Sequence, residues 1–227
     1  MTSEAAVRAH QTEALSRFRA WEYPYTVQIA GLTLVVHEGV IPPTGTDTTL
    51  VVRNLAPGDG RRLLELTTGT GIVSVCAGRL GWTGVACDLN PLAVANATAN
   101  FSAHDVAFTA MGSDVFSGVP AATFDLIVAN PPYLDGPVGD PLEHAFFGST
   151  HFVEELFAGA PGHLTPAGSL LIAFAEWGDI EHFEQTGATG GFVCDVIDSL
   201  ASDDGDRVYR LYRCVPQQSA TRLSRRK

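Results

Sequence analysis

The sequence predicts an α/β fold: a mostly parallel, seven-stranded sheet with helices on both faces, preceded by a short helix and a β-hairpin. Three observations predict it. From residue 61 onward, short and almost wholly apolar runs alternate with helical stretches, as strands buried on both faces do. A glycine-rich turn follows the first of these runs. The polar residues best suited to chemistry (Asp88, Asp114 and Asn130) fall at the ends of later runs, where open α/β sheets bind ligands.

The elements follow in order. Residues of about 3–20 form a helix in which Glu4, Arg8, His10, Glu13, Arg17 and Arg19 alternate with alanines. A signal peptide would need a basic start and a short apolar block instead. Thr26 to Ile29 and Leu32 to Val36 alternate around Gly31 as a hairpin. Ile41 to Thr48 reads as a hydroxyl-rich loop and Thr49 to Leu55 as a helix. Arg62 to Leu66 is the first apolar strand, and Gly69-Thr70-Gly71 turns it into a helix ending near Leu80.

Val85 to Cys87 is the second strand and stops at Asp88, and Pro91 opens an Ala/Asn-rich helix that continues from Leu92 to Ser102. Val106 to Ala110 is a third strand, ending near Asp114. Phe124 to Ala129 is a fourth, ending at Asn130-Pro131-Pro132-Tyr133. A helix over about Thr150 to Gly162 leads to the fifth strand, Ser169 to Ala175. Gly187 to Gly191 reads as a turn, without the Lys-Ser/Thr of a phosphate loop. Phe192 to Ile197 and Val208 to Val215 complete the sheet. The expected organisation is a helix, hairpin and substrate-side loop over 1–57, a catalytic domain over 58–216, and a disordered basic tail over 217–227.

Charge narrows the partners. The formal net charge is −11, whereas a protein that grips a phosphate backbone usually presents a basic face. The only basic cluster is Arg222, Arg225, Arg226 and Lys227 in the tail, so long nucleic acids are disfavoured as partners. No apolar run is long enough to span a membrane. Cys76, Cys87, Cys194 and Cys214 are scattered, without a CxxC pair, and read as reduced thiols of a cytoplasmic protein. His144, His151, Glu154 and Glu155 match no familiar metal-ligand spacing and read as solvated or capping groups, so no metal is expected. His37, Glu38, Trp82, Trp177 and His182 have no partner visible in the sequence.

Glu65-Leu66-Thr67-Thr68-Gly69-Thr70-Gly71 runs from a strand into a glycine turn. The turn lets a ligand approach the backbone and aims a helix N-terminus at it. Asp88 closes the next strand, where a carboxylate accepts both hydroxyls of a ribose; its other reading is a helix cap ahead of Pro91. Gly69-x-Gly71-x-x-Ser74 is a poor match to the dinucleotide fingerprint. Acidic residues on or after three successive strands (Glu65, Asp88 and Asp114) fit S-adenosylmethionine (SAM) instead.

Residues 61–133 resemble the class I SAM-dependent methyltransferases, whose sheet is Rossmann-like, and Leu64 to Ile72 resembles their first motif. The resemblance implies that Glu65, Thr67 and the Gly69/Gly71 turn hold the methionine moiety, Asp88 and Leu89 the ribose side, and Asp114 with Val115 the adenine, with Asn130 bordering the cofactor as well. The product would be S-adenosylhomocysteine. In one departure, Thr67 stands where the superfamily usually has a glycine.

Asn130-Pro131-Pro132-Tyr133 carries the chemistry. An amino or amide NH2 attacks a sulfonium methyl only when its N–H bonds are held so that the lone pair faces carbon. The Asn130 side-chain oxygen and the Pro131 carbonyl are two acceptors for those hydrogens, and Tyr133 offers a ring face to a planar group. The bland alternative is a rigid Asn-Pro turn at a strand end. The motif is similar to that of the amino-methylating branch, which includes adenine-N6 methyltransferases and the HemK-like glutamine methyltransferases. Gly39 to Thr48 resembles the loop ahead of the first motif in HemK-like enzymes, which implies that Pro43, Thr46 and Asp47 flank the substrate. Only a helix and a hairpin precede that loop, as in short forms without a helical substrate domain.

Phe146, Phe147 and Phe152 follow the motif and either line an apolar pocket with Tyr133 or pack a helix into the core. The expected acceptor is therefore a protein glutamine or a small amine or amide. Alternatives are a metabolite of a biosynthetic pathway, adenine in nucleic acid, or a SAM-binding subunit that needs a partner. The sequence leaves the oligomeric state open.

Overall fold

The structure is a computed structural model and describes residues 4–203 and 205–217, with no side chains described for residues 4–8 and 10. The tail expected over 217–227 lies outside the described residues from 218 onward. Helix α1 spans Glu4–Arg19, and strands β1 (Tyr25–Ile29) and β2 (Leu32–Val36) form an antiparallel hairpin. Next come α2 (Thr46–Arg53), β3 (Arg62–Leu66), α3 (Ile72–Arg79), β4 (Thr83–Asp88), α4 (Pro91–His104), β5 (Phe108–Gly112) and β6 (Phe124–Ala129). After a short 3₁₀ turn at Glu143–Ala145 follow α5 (Ser149–His163), β7 (Leu164–Ala175), α6 (Ile180–Thr189), β8 (Phe192–Ala201) and β9 (Val208–Pro216).

The large sheet has seven strands in the order β5-β4-β3-β6-β7-β9-β8, with β9 antiparallel to both of its neighbours. After β3 the chain lays β4 and β5 on one side, then crosses to place β6 on the other. The carboxyl ends of β3 and β6 therefore adjoin at the point where strand order reverses, the place where such sheets bind ligands. Leu63, Leu64, Ile127, Leu170, Ile172 and Phe174 are buried in the sheet interior, each fully buried side chain contributing about 1.5–3 kcal/mol.

Several boundaries differ from the sequence reading, each for a local reason. Thr46 and Asp47 belong to the first turn of α2, not to a loop; Gly45 caps that helix and the Asp47 carboxylate accepts the Thr48 N–H at 2.8 Å. Val106 closes α4 instead of opening β5. Asp105 takes φ +51 and the Val106 N–H returns to the Phe101 carbonyl at 3.2 Å, a helix stop that delays the strand to Phe108. Asp114 consequently lies two residues beyond β5, in the loop. Gly187 is inside α6, so the expected turn shrinks to Gly190–Gly191.

The cysteine reading is corrected too. Cys194 and Cys214 face each other across β8 and β9 with Cα atoms 4.0 Å apart and form a disulfide, whereas Cys76 and Cys87 are buried free thiols. Among the described residues, no helix is long and apolar enough to cross a membrane.

Candidate active site

A cavity of about 1090 Å³ opens over the carboxyl ends of β3 and β6. Its walls include the turn after β3, Asp88, the Asn130–Tyr133 loop, the Pro43–Asp47 segment and the inner face of α1.

Glu65 lies under the turn, only 3% exposed. Its Oε2 accepts bonds from Thr68 Oγ1 at 2.9 Å, the Ser74 N–H at 3.1 Å and Ser74 Oγ. Burial pushes its pKa up to about 7 against the opposing pull of those bonds. Glu65 thus braces the turn from beneath while bordering the cavity. Gly71 takes φ +83, and a Cβ there would stand 2.6 Å from the Phe101 ring, so this position needs glycine for both conformation and space. At Gly69, φ is +52 and a Cβ would meet nothing within 4 Å, because the turn faces the open cavity.

Asp88 is not the cap of α4. That role belongs to Asn90, whose side chain accepts the Leu92 N–H at 3.0 Å. The Asp88 carboxylate is fixed by two backbone donors, Gly69 N–H on Oδ2 and Asn90 N–H on Oδ1, both at 2.9 Å. Burial raises its pKa above the ordinary carboxylate value. Leu89, next to it on the cavity wall, leaves 46% of its surface exposed. Asp114 is exposed and lies 3.1 Å from His151 Nε2; His151 is itself exposed, as a solvated group would be, and has this carboxylate as a neighbour. Val115 is buried behind it at φ +45.

Asn130 comes directly after β6. The Tyr133 hydroxyl sits between Asn130 Oδ1 and Asp47 Oδ2, the latter 3.1 Å away. Burial and the Asp47 charge hold the phenol well above its ordinary pKa, so it remains a neutral donor. Its ring is 7% exposed and packs edge-on against Phe174 and Trp177, with Tyr209 6.0 Å away. Phe146 and Phe147 are half-buried on the cavity wall beside a β-bridge between Leu134 and Phe147, and Phe152 is buried. Pro43 is buried and Thr46 half-buried on the same wall. The structure thus brings the candidate residues from the sequence to one cavity, apart from Gly71, which packs behind the turn against Phe101 and Ala97; His151 and Trp177 join them.

The sequence reading missed the asparagines of α4. Asn100 accepts the Val35 N–H at 3.0 Å and donates to the carbonyls of Val35 and Thr70 at 2.9 and 2.8 Å. Asn96 brackets the same strand, accepting from the His37 N–H at 3.0 Å and donating to the Val35 carbonyl at 2.8 Å. Asn90 donates to the Gly39 carbonyl at 2.8 Å. These three side chains fasten the hairpin and the following loop to the glycine-turn side of the site. The signal was there: Asn96 and Asn100 are four apart, on one face of the helix.

The arrangement suits a nucleoside-bearing ligand. It offers a carboxylate at the end of β4, an apolar side chain beside it, an open turn at Gly69, and a buried Thr70 hydroxyl without a protein partner. Residues 31–183 match the methyltransferase small domain family. The chain belongs to this family of SAM-dependent methyltransferases. It is 36% identical over 165 residues to ribosomal RNA small subunit methyltransferase C of Chromohalobacter salexigens, covering 70% of this chain and 46% of that one. It is 35% identical over 127 residues to a Methanocaldococcus jannaschii protein named for N5-glutamine methylation, covering 54% and 64%. The methyltransferase chain thus spans from under half to just under two thirds of these two relatives. Its fold matches the Thermus thermophilus 16S rRNA N2 G1207 methyltransferase with AdoMet and guanosine, at a TM-score of 0.62 and 19% identity over 86% of this chain and 50% of that one.

In this family the cofactor is SAM. The described residues contain no cluster of three or more His, Cys, Asp or Glu side chains placed to hold a metal ion.

Proposed function

We propose that this methyltransferase moves the SAM methyl group to an amide or amino nitrogen held by Asn130 and the Pro131 carbonyl. One observation carries this reading: Asn130 stands at the end of β6 beside the glycine turn, on the wall of the cavity that Asp88 also borders. SAM supplies an electrophilic methyl on a sulfonium sulfur. The acceptor's two N–H groups donate hydrogen bonds to Asn130 Oδ1 and the Pro131 carbonyl, which turns the nitrogen's lone pair toward that carbon. The methylated nitrogen sheds one proton to solvent, and S-adenosylhomocysteine is the other product. Orientation of this kind is worth about 7–11 kcal/mol when complete. On the cofactor side, Asp88 and Leu89 take the ribose, Glu65, Gly69 and Gly71 shape the methionine cradle, and Asp114 with Val115 borders the adenine. Pro43, Thr46, Asp47, Phe146 and Phe147 border the acceptor.

An amide acceptor is supported by the relative named for N5-glutamine methylation. A small planar amine or amide is supported by the aromatic wall of Tyr133, Phe146, Phe147 and Trp177 and by the inner face of α1 beside it. The rRNA-named relative favours nucleic acid, against which stands the net charge of −11. Transfer from methyl-labelled SAM into an extract of the native host separates these acceptors. Protease-sensitive label supports the glutamine acceptor, and label in small molecules supports the metabolite acceptor. Nuclease-sensitive label overturns the charge argument, and label on oxygen or carbon instead of nitrogen overturns the proposal.

A further inference from the structure

Thr67 is the residue at which this site departs from its superfamily's glycine, and its geometry is unusual. It adopts φ +60, a left-handed conformation that β-branched side chains rarely take. Parallel pairing between β3 and β6 ends at Leu66 and Ala129, because the Thr67 backbone turns away into the glycine loop. Asn130 is the first residue after β6, and without Thr67 its backbone would lack a partner on the β3 side. The Thr67 hydroxyl fills that place. Oγ1 accepts the Asn130 N–H at 3.3 Å, and its single proton is shared between the Leu66 carbonyl, the nearer acceptor, and the Asn130 carbonyl 3.0 Å away. One side-chain hydroxyl thus extends the ladder by a rung that the main chain cannot make.

We infer that Thr67 is a positioning residue for methyl transfer: its hydroxyl fixes the Asn130 backbone against the cofactor turn and so sets where Asn130 Oδ1 and the Pro131 carbonyl point. A glycine at this position removes the backbone strain, but it leaves the Asn130 N–H and carbonyl without this partner. The threonine therefore exchanges local backbone comfort for registration of the catalytic loop on the cofactor loop. The inference rests on the proposal that Asn130 orients the acceptor nitrogen.

The test needs no acceptor. Amide hydrogen exchange at Asn130, read by NMR on the full chain with S-adenosylhomocysteine, is compared across wild type, Thr67→Ser, Thr67→Ala and Thr67→Gly. Loss of the hydroxyl in the Ala and Gly variants is expected to speed exchange about tenfold. Thr67→Ser is expected to restore protection. A purely structural role predicts that exchange follows stability. Here the two separate: Thr67→Gly melts above Thr67→Ala because glycine tolerates positive φ, yet both expose Asn130 equally. Unchanged protection of Asn130 in Thr67→Ala overturns the inference, and so does protection that simply tracks melting temperature. Methyl transfer in the host extract adds a second reading, with turnover lost in Thr67→Ala and rescued in Thr67→Ser. If Asn130→Ala leaves transfer intact, the underlying functional reading falls, while the exchange result still decides whether the hydroxyl clamp exists.

Discussion

The two walls of the cavity are assembled in different ways. The wall proposed for the cofactor is local. Glu65 meets Thr68 and Ser74 three and nine residues on, and Asp88 meets Gly69 across nineteen. The wall proposed for the acceptor is joined over long distances. Tyr133 reaches Asp47 across 86 residues, and Arg19 on α1 pairs with Asp140 across 121, which ties α1 to the loop beyond Tyr133. A wall fixed by short spacings leaves its mark in a motif. A wall fixed by tertiary contacts leaves residue types whose neighbours only the fold reveals.

The largest expected effect tests whether the local wall is self-sufficient. Asn100 makes three hydrogen bonds that join β2 to the glycine turn, and it is buried. Asn100→Leu strands those backbone groups and is expected to cost about 2–4 kcal/mol in urea unfolding, with weakened SAM binding. A loss below about 0.5 kcal/mol would show that the hairpin contributes nothing to the cofactor wall.

Next in size is Asp88. Asp88→Ala is expected to lower SAM affinity about tenfold to a hundredfold in calorimetry, by removing the carboxylate proposed to take the ribose and freeing Gly69. Unchanged affinity would move the cofactor off this wall.

The smallest effect sharpens the comparison through pH. Glu65 titrates near 7 when folded and near 4.5 when unfolded, so the native state binds the extra proton between these values. Its contribution is fully present below the unfolded pKa and is lost as pH rises through the folded one. Wild type should therefore lose about 2 kcal/mol between pH 5 and 7 from this group. Glu65→Gln should flatten that slope, and an identical slope in the variant would place the titration elsewhere.

The same contrast explains what the sequence revealed. The parallel sheet, the strand ends and the residues from Glu65 to Asp88 followed from apolar periodicity and glycine placement. The start of α2 did not, because Thr44 to Thr48 carries residues that serve equally in a loop and in a helix's first turn. Val106 was read into a strand because its helix-closing bond depends on the φ of Asp105, which residue types do not announce. The disulfide partners are 20 residues apart on two strands, and only strand register sets them opposite one another. Trp177 and His151 joined the site through β7 and α5, without any motif of their own.

The central claim is that Asn130 orients an acceptor nitrogen without holding the cofactor. The most direct test is transfer of labelled methyl from saturating SAM into native-host extract by wild type and Asn130→Ala, with SAM affinity measured alongside. The account predicts N-methyl product from wild type, a fall of about 10²-fold or more in the variant, and SAM affinity within about threefold. Equal labelling by both proteins, or a matching collapse of SAM binding, would contradict it.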